Sequence, residues 1–149
     1  MLNRLQSVFA SFQSHDVRYL VIGGIAAVLH GVPRATFDLD ILIEPTETNA
    51  ERLLLALRAA GFGTADLVEV PEILANEITI FNDRVRIDVQ TSTPGITFQA
   101  AWERRETMEY QAQEFYVASR QDVIASKRAA GRPRDLEDVR ALELGRETS

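Results

Sequence analysis

Gly23-Gly24-Ile25-Ala26-Ala27-Val28-Leu29-His30-Gly31-Val32-Pro33-Arg34-Ala35-Thr36-Phe37-Asp38-Leu39-Asp40 holds the two features on which the whole chain turns. A glycine pair ends the apolar run Val17 to Ile22, and after thirteen intervening residues two carboxylates sit two apart inside the next apolar run. Residues i and i+2 of a strand point to one face, so a strand over Phe37 to Ile43 would set Asp38 beside Asp40, with Leu39, Ile41 and Ile43 on the opposite face. Their Cα atoms would lie roughly 6–7 Å apart. Like charges at that range raise each other's pKa unless something positive stands between them. Aspartate is also disfavoured in strands. A divalent cation answers both points, since magnesium is held by one or two carboxylates together with substrate phosphates. A solvated Asp-x-Asp on an edge strand is the plainer alternative.

Working outward, glycines at a strand-to-helix junction let a backbone approach a ligand, and the following helix presents free N–H groups to an anion. A tight turn needing positive φ explains the same pair. Ile25 to Leu29, closed by Gly31, reads as a short buried helix. Arg34 and Thr36 precede the aspartates in a loop that must return past the glycines, where a guanidinium and a hydroxyl could meet phosphate. A surface arginine and a strand-start threonine account for them equally. Farther on, Glu77 to Phe81 and Val85 to Gln90 flank Asn82-Asp83-Arg84 and read as a hairpin. Val85, Ile87 and Val89 take one face, and Arg86, Asp88 and Gln90 the other. If that strand lies beside the one carrying Asp40, a third carboxylate, Asp88, joins the pair. Otherwise Asp88 is a solvated partner of Arg86.

The remaining elements follow from spacing. Leu2, Leu5, Phe9 and Phe12 mark an amphipathic helix. Pro45 stops the Asp40 strand, and Thr48 or Asn49 is expected to cap a helix running to Ala60, with Leu53, Leu54 and Leu57 inward and Gly61 as its stop. Thr107 to Tyr110 and Glu114 to Val117 suggest a second hairpin. Ser119 with Asp122 resembles a capping box opening a helix to Ala130. Gly131-Arg132-Pro133 breaks that helix, and a last one runs from near Asp135 to Leu144. On this reading Lys127 and Arg132 belong to a solvated surface, Asp135 and Asp138 cap the last helix, and Trp102 belongs to the core or its rim. The order of helices and strands indicates an α/β (α+β) sheet with helices packed on it.

The composition sets limits. The length of 149 residues fits one domain with a full-sized core, and the 46% hydrophobic and 26% charged residues are those of a globular chain. The absence of cysteine removes disulfides and thiolate metal sites, and His15 and His30 are too few for a histidine-built one. No segment has the apolar core of a signal peptide or the length of a membrane span, so a cytoplasmic protein with no membrane partner is expected. The net charge of −6 argues against broad nucleic-acid binding, which needs a basic face.

Gly23-Gly24, Asp38-Leu39-Asp40 and Ile87-Asp88-Val89 together resemble the DNA polymerase beta-like nucleotidyltransferase superfamily. The run from Val21 to Asp40 is similar, more narrowly, to the abortive-infection-type nucleotidyltransferases that serve as toxins of toxin–antitoxin pairs. The stretch Lys127-Arg128-Ala129-Ala130-Gly131-Arg132-Pro133-Arg134-Asp135-Leu136-Glu137-Asp138 resembles a C-terminal feature of that group. The resemblance covers roughly residues 18–90 and 119–142. It implies a minimal nucleotidyltransferase fold, a mixed β-sheet with helices packed on it and a C-terminal helical pair, in a single domain over 1–149. The catalytic core would span about 17–91 and the C-terminal helices about 119–145. It further implies that Asp38, Asp40 and Asp88 are catalytic and hold magnesium or manganese, and that Gly23, Gly24, Arg34, Thr36 and Lys127 contact a nucleoside triphosphate. The nucleotide would pass to a hydroxyl, on tRNA or protein if the chain is a toxin with an antitoxin partner. A small hydroxylated acceptor, such as an antibiotic, and a catalytically silent nucleotide-binding module are the competing classes.

Overall fold

The computed structural model describes residues 2–148, so the first and last residues of the expected 1–149 domain, Met1 and Ser149, lie outside it. The elements run α1 (Leu2–Ser14), β1 (Tyr19–Ile22), α2 (Gly23–Leu29), β2 (Leu39–Ile43), α3 (Glu47–Ala59), a 3-10 turn (Gly63–Leu67), α4 (Val70–Ala75), β3 (Ile78–Asn82), β4 (Arg86–Gln90), α5 (Phe98–Glu103), β5 (Glu106–Tyr110), β6 (Gln113–Val117), α6 (Arg120–Ala130) and α7 (Pro133–Thr148).

The strands form one six-stranded mixed sheet in the order β3-β4-β2-β1-β6-β5. β1 and β2 are antiparallel, whereas β2 and β4, and β1 and β6, are parallel. Both expected hairpins form, β3 with β4 and β5 with β6. β1 is buried along its whole length, as a central strand covered on both faces must be. β4 alternates instead: Ile87 and Val89 enter the core, while Arg86, Asp88 and Gln90 face the half-open side. α1 puts Phe9 and Phe12 into the core, where Phe9 stacks on Phe115 at 4.4 Å and Phe12 meets Tyr19 at 4.8 Å between ring centroids. Such pairs add to the area their rings bury.

Several expectations are corrected. β2 begins at Leu39, so Asp38 lies just outside the strand and is exposed instead of standing in the ladder beside Asp40. α3 is capped two or three residues sooner than Thr48 or Asn49 implies: Thr46 is its N-cap, its hydroxyl accepting from Asn49 N. Asn49 is buried for another purpose. Its Oδ1 accepts from Arg18 N at 2.8 Å, and its Nδ2 donates to the carbonyls of Arg18 and Glu44, both at 2.9 Å. One amide thereby clips the residue before β1 to the residue after β2, giving Arg18 N its acceptor and adding a donor to two carbonyls. α4 and α5 lack an apolar period long enough to read from sequence, six residues each. α7 starts at Pro133, a residue suited to a first helical turn, ahead of the expected Asp135. No helix among the described residues is long and apolar enough to cross a membrane.

Candidate active site

The strand pairings gather the site at one end of the sheet. Ile22, the last residue of β1, is opposite Asp40, and Asp40 is opposite Asp88 on β4. The two carboxylates therefore occupy neighbouring strands at one level, directly beyond the Gly23-Gly24 turn into α2. Gly23 has φ +68°, and a Cβ there would run into the Asp40 carboxylate. Gly24 is needed for closeness: a Cβ would lie 3.0 Å from Thr36 Oγ1 and 3.1 Å from Arg34 Nη2. The loop between α2 and β2 thus folds back over the glycines, bringing Arg34 and Thr36 to them.

These groups line a cleft of about 670 Å³. Asp38, Asp40 and Asp88 lie on its sheet side. Arg34, Lys127, Arg132 and Arg134 line it as well, the last three from α6, α7 and the turn joining them. All eight residues expected at the site, Gly23, Gly24, Arg34, Thr36, Asp38, Asp40, Asp88 and Lys127, border this one cleft. Arg132, expected on a solvated surface, and Asp135, expected as a helix cap, also border it, as does Arg134, for which spacing suggests no role.

The charges are closely matched. Asp88 forms a two-point bridge with Arg86, Nε to Oδ1 at 2.9 Å and Nη2 to Oδ2 at 3.3 Å. Lys127, buried rather than solvated, puts Nζ 2.8 Å from Asp138 Oδ2 and 3.5 Å from Asp135 Oδ1. Arg34 Nε and Nη2 donate to the two oxygens of Asp138 at 3.0 and 2.8 Å. Arg132 Nε donates to Asp135 Oδ2 at 2.7 Å. Capping therefore explains little of this acidic pair. Asp135 does accept from Arg132 N at 3.3 Å, as a first-turn carboxylate can, but Asp138 lies a turn deeper. Burial by itself would raise both carboxyls, yet the hydrogen bonds and charges of Arg132, Arg34 and Lys127 outweigh it and hold both below the ordinary aspartate value. The spacing of Asp135 and Asp138, three apart on one helix face, was the available signal.

Asp40 is the exception. Burial first, then the charges of Asp88 and Asp38 and a hydrogen bond with Asp88, push it up to about 7, with Lys127 opposing only weakly. An acid held there is an acid short of positive charge. Among the described residues no three carboxylate or histidine side chains form a ready-made metal cage. The donors are nevertheless oxygen only, and magnesium or manganese characteristically takes few carboxylates and keeps other positions for water and phosphate. A pair of adjoining carboxylates with a third at the mouth fits such an ion.

A mixed sheet with this glycine turn and in-register acids is the arrangement expected from the resemblance to nucleotidyltransferases. The chain belongs to the family described as "Nucleotidyltransferase of unknown function (DUF6036)", which it matches over residues 2–149. In fold it is similar to the crystal structure of an antigenic nucleotidyltransferase-like protein from Paracoccidioides brasiliensis, with a TM-score of 0.57 and 16% identity, covering 93% of this chain and 72% of that one. No curated protein matches the sequence.

Proposed function

We propose that this chain transfers a nucleoside monophosphate from a nucleoside triphosphate to a hydroxyl acceptor. The observation that carries the reading is the pairing of Asp40 with Asp88 across β2 and β4, beyond a glycine turn and facing Arg34 and Lys127. The acceptor oxygen would attack the α-phosphorus, its proton passing to Asp88, while the bond to the bridging oxygen breaks and pyrophosphate leaves. Arg34 and Lys127 would hold the phosphates and offset the charge that develops there. Gly23 and Gly24 would let the triphosphate approach the N-terminus of α2. Magnesium or manganese bound by Asp38, Asp40 and Asp88 would supply charge neutralisation and activation of the attacking oxygen.

The resemblance of Val21 to Asp40 supports a toxin–antitoxin component acting on tRNA or protein. A small hydroxylated acceptor has an observation of its own: Arg34, Arg86 and Arg132 are each already bridged to an aspartate, in a chain of net charge −6. Acidity of this kind weakens attraction to a polyanion. Incubating the protein with each labelled triphosphate and either a cell extract or its small-molecule fraction separates the two. Label in RNA or protein supports the first acceptor class, and label only in the small fraction supports the second. Label in neither with any triphosphate would leave a silent nucleotide-binding module.

A further inference from the structure

Asp138 joins two cations from distant parts of the chain. Its Oδ1 accepts from Arg34 Nε at 3.0 Å, and its Oδ2 accepts from Arg34 Nη2 and from Lys127 Nζ, both at 2.8 Å. Arg34 lies 104 residues earlier, in the loop between α2 and β2, and Lys127 lies in the last turn of α6. Both line the cleft, whereas Asp138 does not; its side chain is 3% exposed behind them. Asp135 differs, since it borders the cleft and has Arg132 as a partner of its own. A buried ion cluster is no default source of stability, because desolvating its charges opposes their attraction. This one also ties together the two cations that face the carboxylates across the cleft.

We propose that Asp138 is a positioning residue for the triphosphate, fixing the Arg34 guanidinium and the Lys127 ammonium on the cleft wall without touching the nucleotide. The inference rests on the reading of the cleft as a triphosphate site. Long cationic side chains lose conformational freedom when they clasp a ligand, and a site whose cations are already fixed by folding loses less on binding. The opposing effect is electrostatic. A carboxylate behind two cations weakens their pull on phosphate, so removing it would tighten binding if charge alone mattered. The two accounts predict opposite signs.

Calorimetry on the full chain with ATP, GTP, CTP and UTP, each with magnesium, selects the tightest triphosphate. Asp138→Asn is expected to weaken its binding about tenfold or more, and Asp138→Glu, which keeps the charge but shifts it by a methylene, about threefold. Asp122→Asn is the control: it removes a similarly buried carboxylate from a two-point bridge to Arg104, at 3.1 and 2.8 Å, outside the cleft. It should leave binding unchanged. Arg34→Ala should cost about tenfold in the native background and under threefold when Asp138→Asn is present, because the guanidinium is then already loose. Unchanged or tighter binding in Asp138→Asn, or full additivity with Arg34→Ala, overturns the proposal. Should Asp138→Asn fail to fold, Asp138→Glu decides it, and native affinity at native Tm overturns it. A native chain that binds none of the four triphosphates overturns the triphosphate reading and this inference with it. Binding that ignores Asp138 overturns this inference alone.

Discussion

Asp40 and Asp88 stand opposite one another on adjacent parallel strands, and the acid on β2 is pushed up to about 7 while the acid on β4 is clasped by Arg86. Two carboxylates of one type thereby acquire different chemistry from their surroundings. The difference leads to separable expectations.

Asp40→Asn should stabilise the metal-free protein, and the gain should grow with pH. The folded pKa of about 7 lies above the ordinary value of 3.8. Between those values the native state keeps a proton that the unfolded state has released, so Asp40 lowers stability progressively as pH rises from one to the other. The variant removes that loss. Thermal melts at pH 5 and pH 8.5 should show the larger increase at pH 8.5, worth on the order of 1–3 kcal/mol. A gain that is equal at both values would mean that the titration of Asp40 is not its source. The same substitution should abolish magnesium-dependent triphosphate binding.

Asp88→Asn should lower kcat by about a hundredfold or more and far more than it lowers triphosphate affinity, as expected for a metal ligand that also accepts a proton during reaction. Steady-state kinetics together with equilibrium binding resolves the two. Equal losses in both would make Asp88 a ligand alone, and unchanged turnover would remove it from the chemistry.

Lys127→Ala should weaken triphosphate binding about tenfold or more, roughly 1.4 kcal/mol. Arg128→Ala should do little, because Arg128 is exposed and paired with Glu143 on α7. Added salt should depress binding more in the native chain than in the Lys127 variant. Matching small effects from both substitutions would return Lys127 to a purely internal ion pair.

Gly23→Ala should be the more damaging of the two glycine substitutions, since it strains a backbone at φ +68° and also displaces the Asp40 carboxylate. A loss of about 1–3 kcal/mol is expected from such a backbone. Gly24→Ala requires only small shifts of Thr36 and Arg34 and should chiefly raise the KM for triphosphate. Chemical denaturation and KM measured on both variants test the ranking.

Much of this was readable before any coordinates. The glycine pair, the Asp-x-Asp run and the alternation around Asp88 are local patterns, and each marks a strand end or a strand face by itself. Whether Asp88 meets Asp40 depends on β4 lying beside β2, a pairing between segments more than forty residues apart that no local period encodes. The C-terminal network was hidden for a similar reason. Lys127, Asp135 and Asp138 carry ordinary helix-surface chemistry, and only the packing of α7 on α6 and on the Arg34 loop turns their charges inward. Asn49 was misread because its neighbour Thr46 already provides the cap, leaving the amide free to join β1 and β2.

The position of the label in the triphosphate tests the central claim most directly. The protein should be incubated with magnesium, cell extract and the preferred triphosphate carrying label at either the α- or the γ-phosphorus. The account predicts that α-label becomes attached to an acceptor and γ-label is released as pyrophosphate, with both events lost in Asp40→Asn. Transfer of the γ-label to an acceptor, or α-label transfer undiminished in Asp40→Asn, would contradict it.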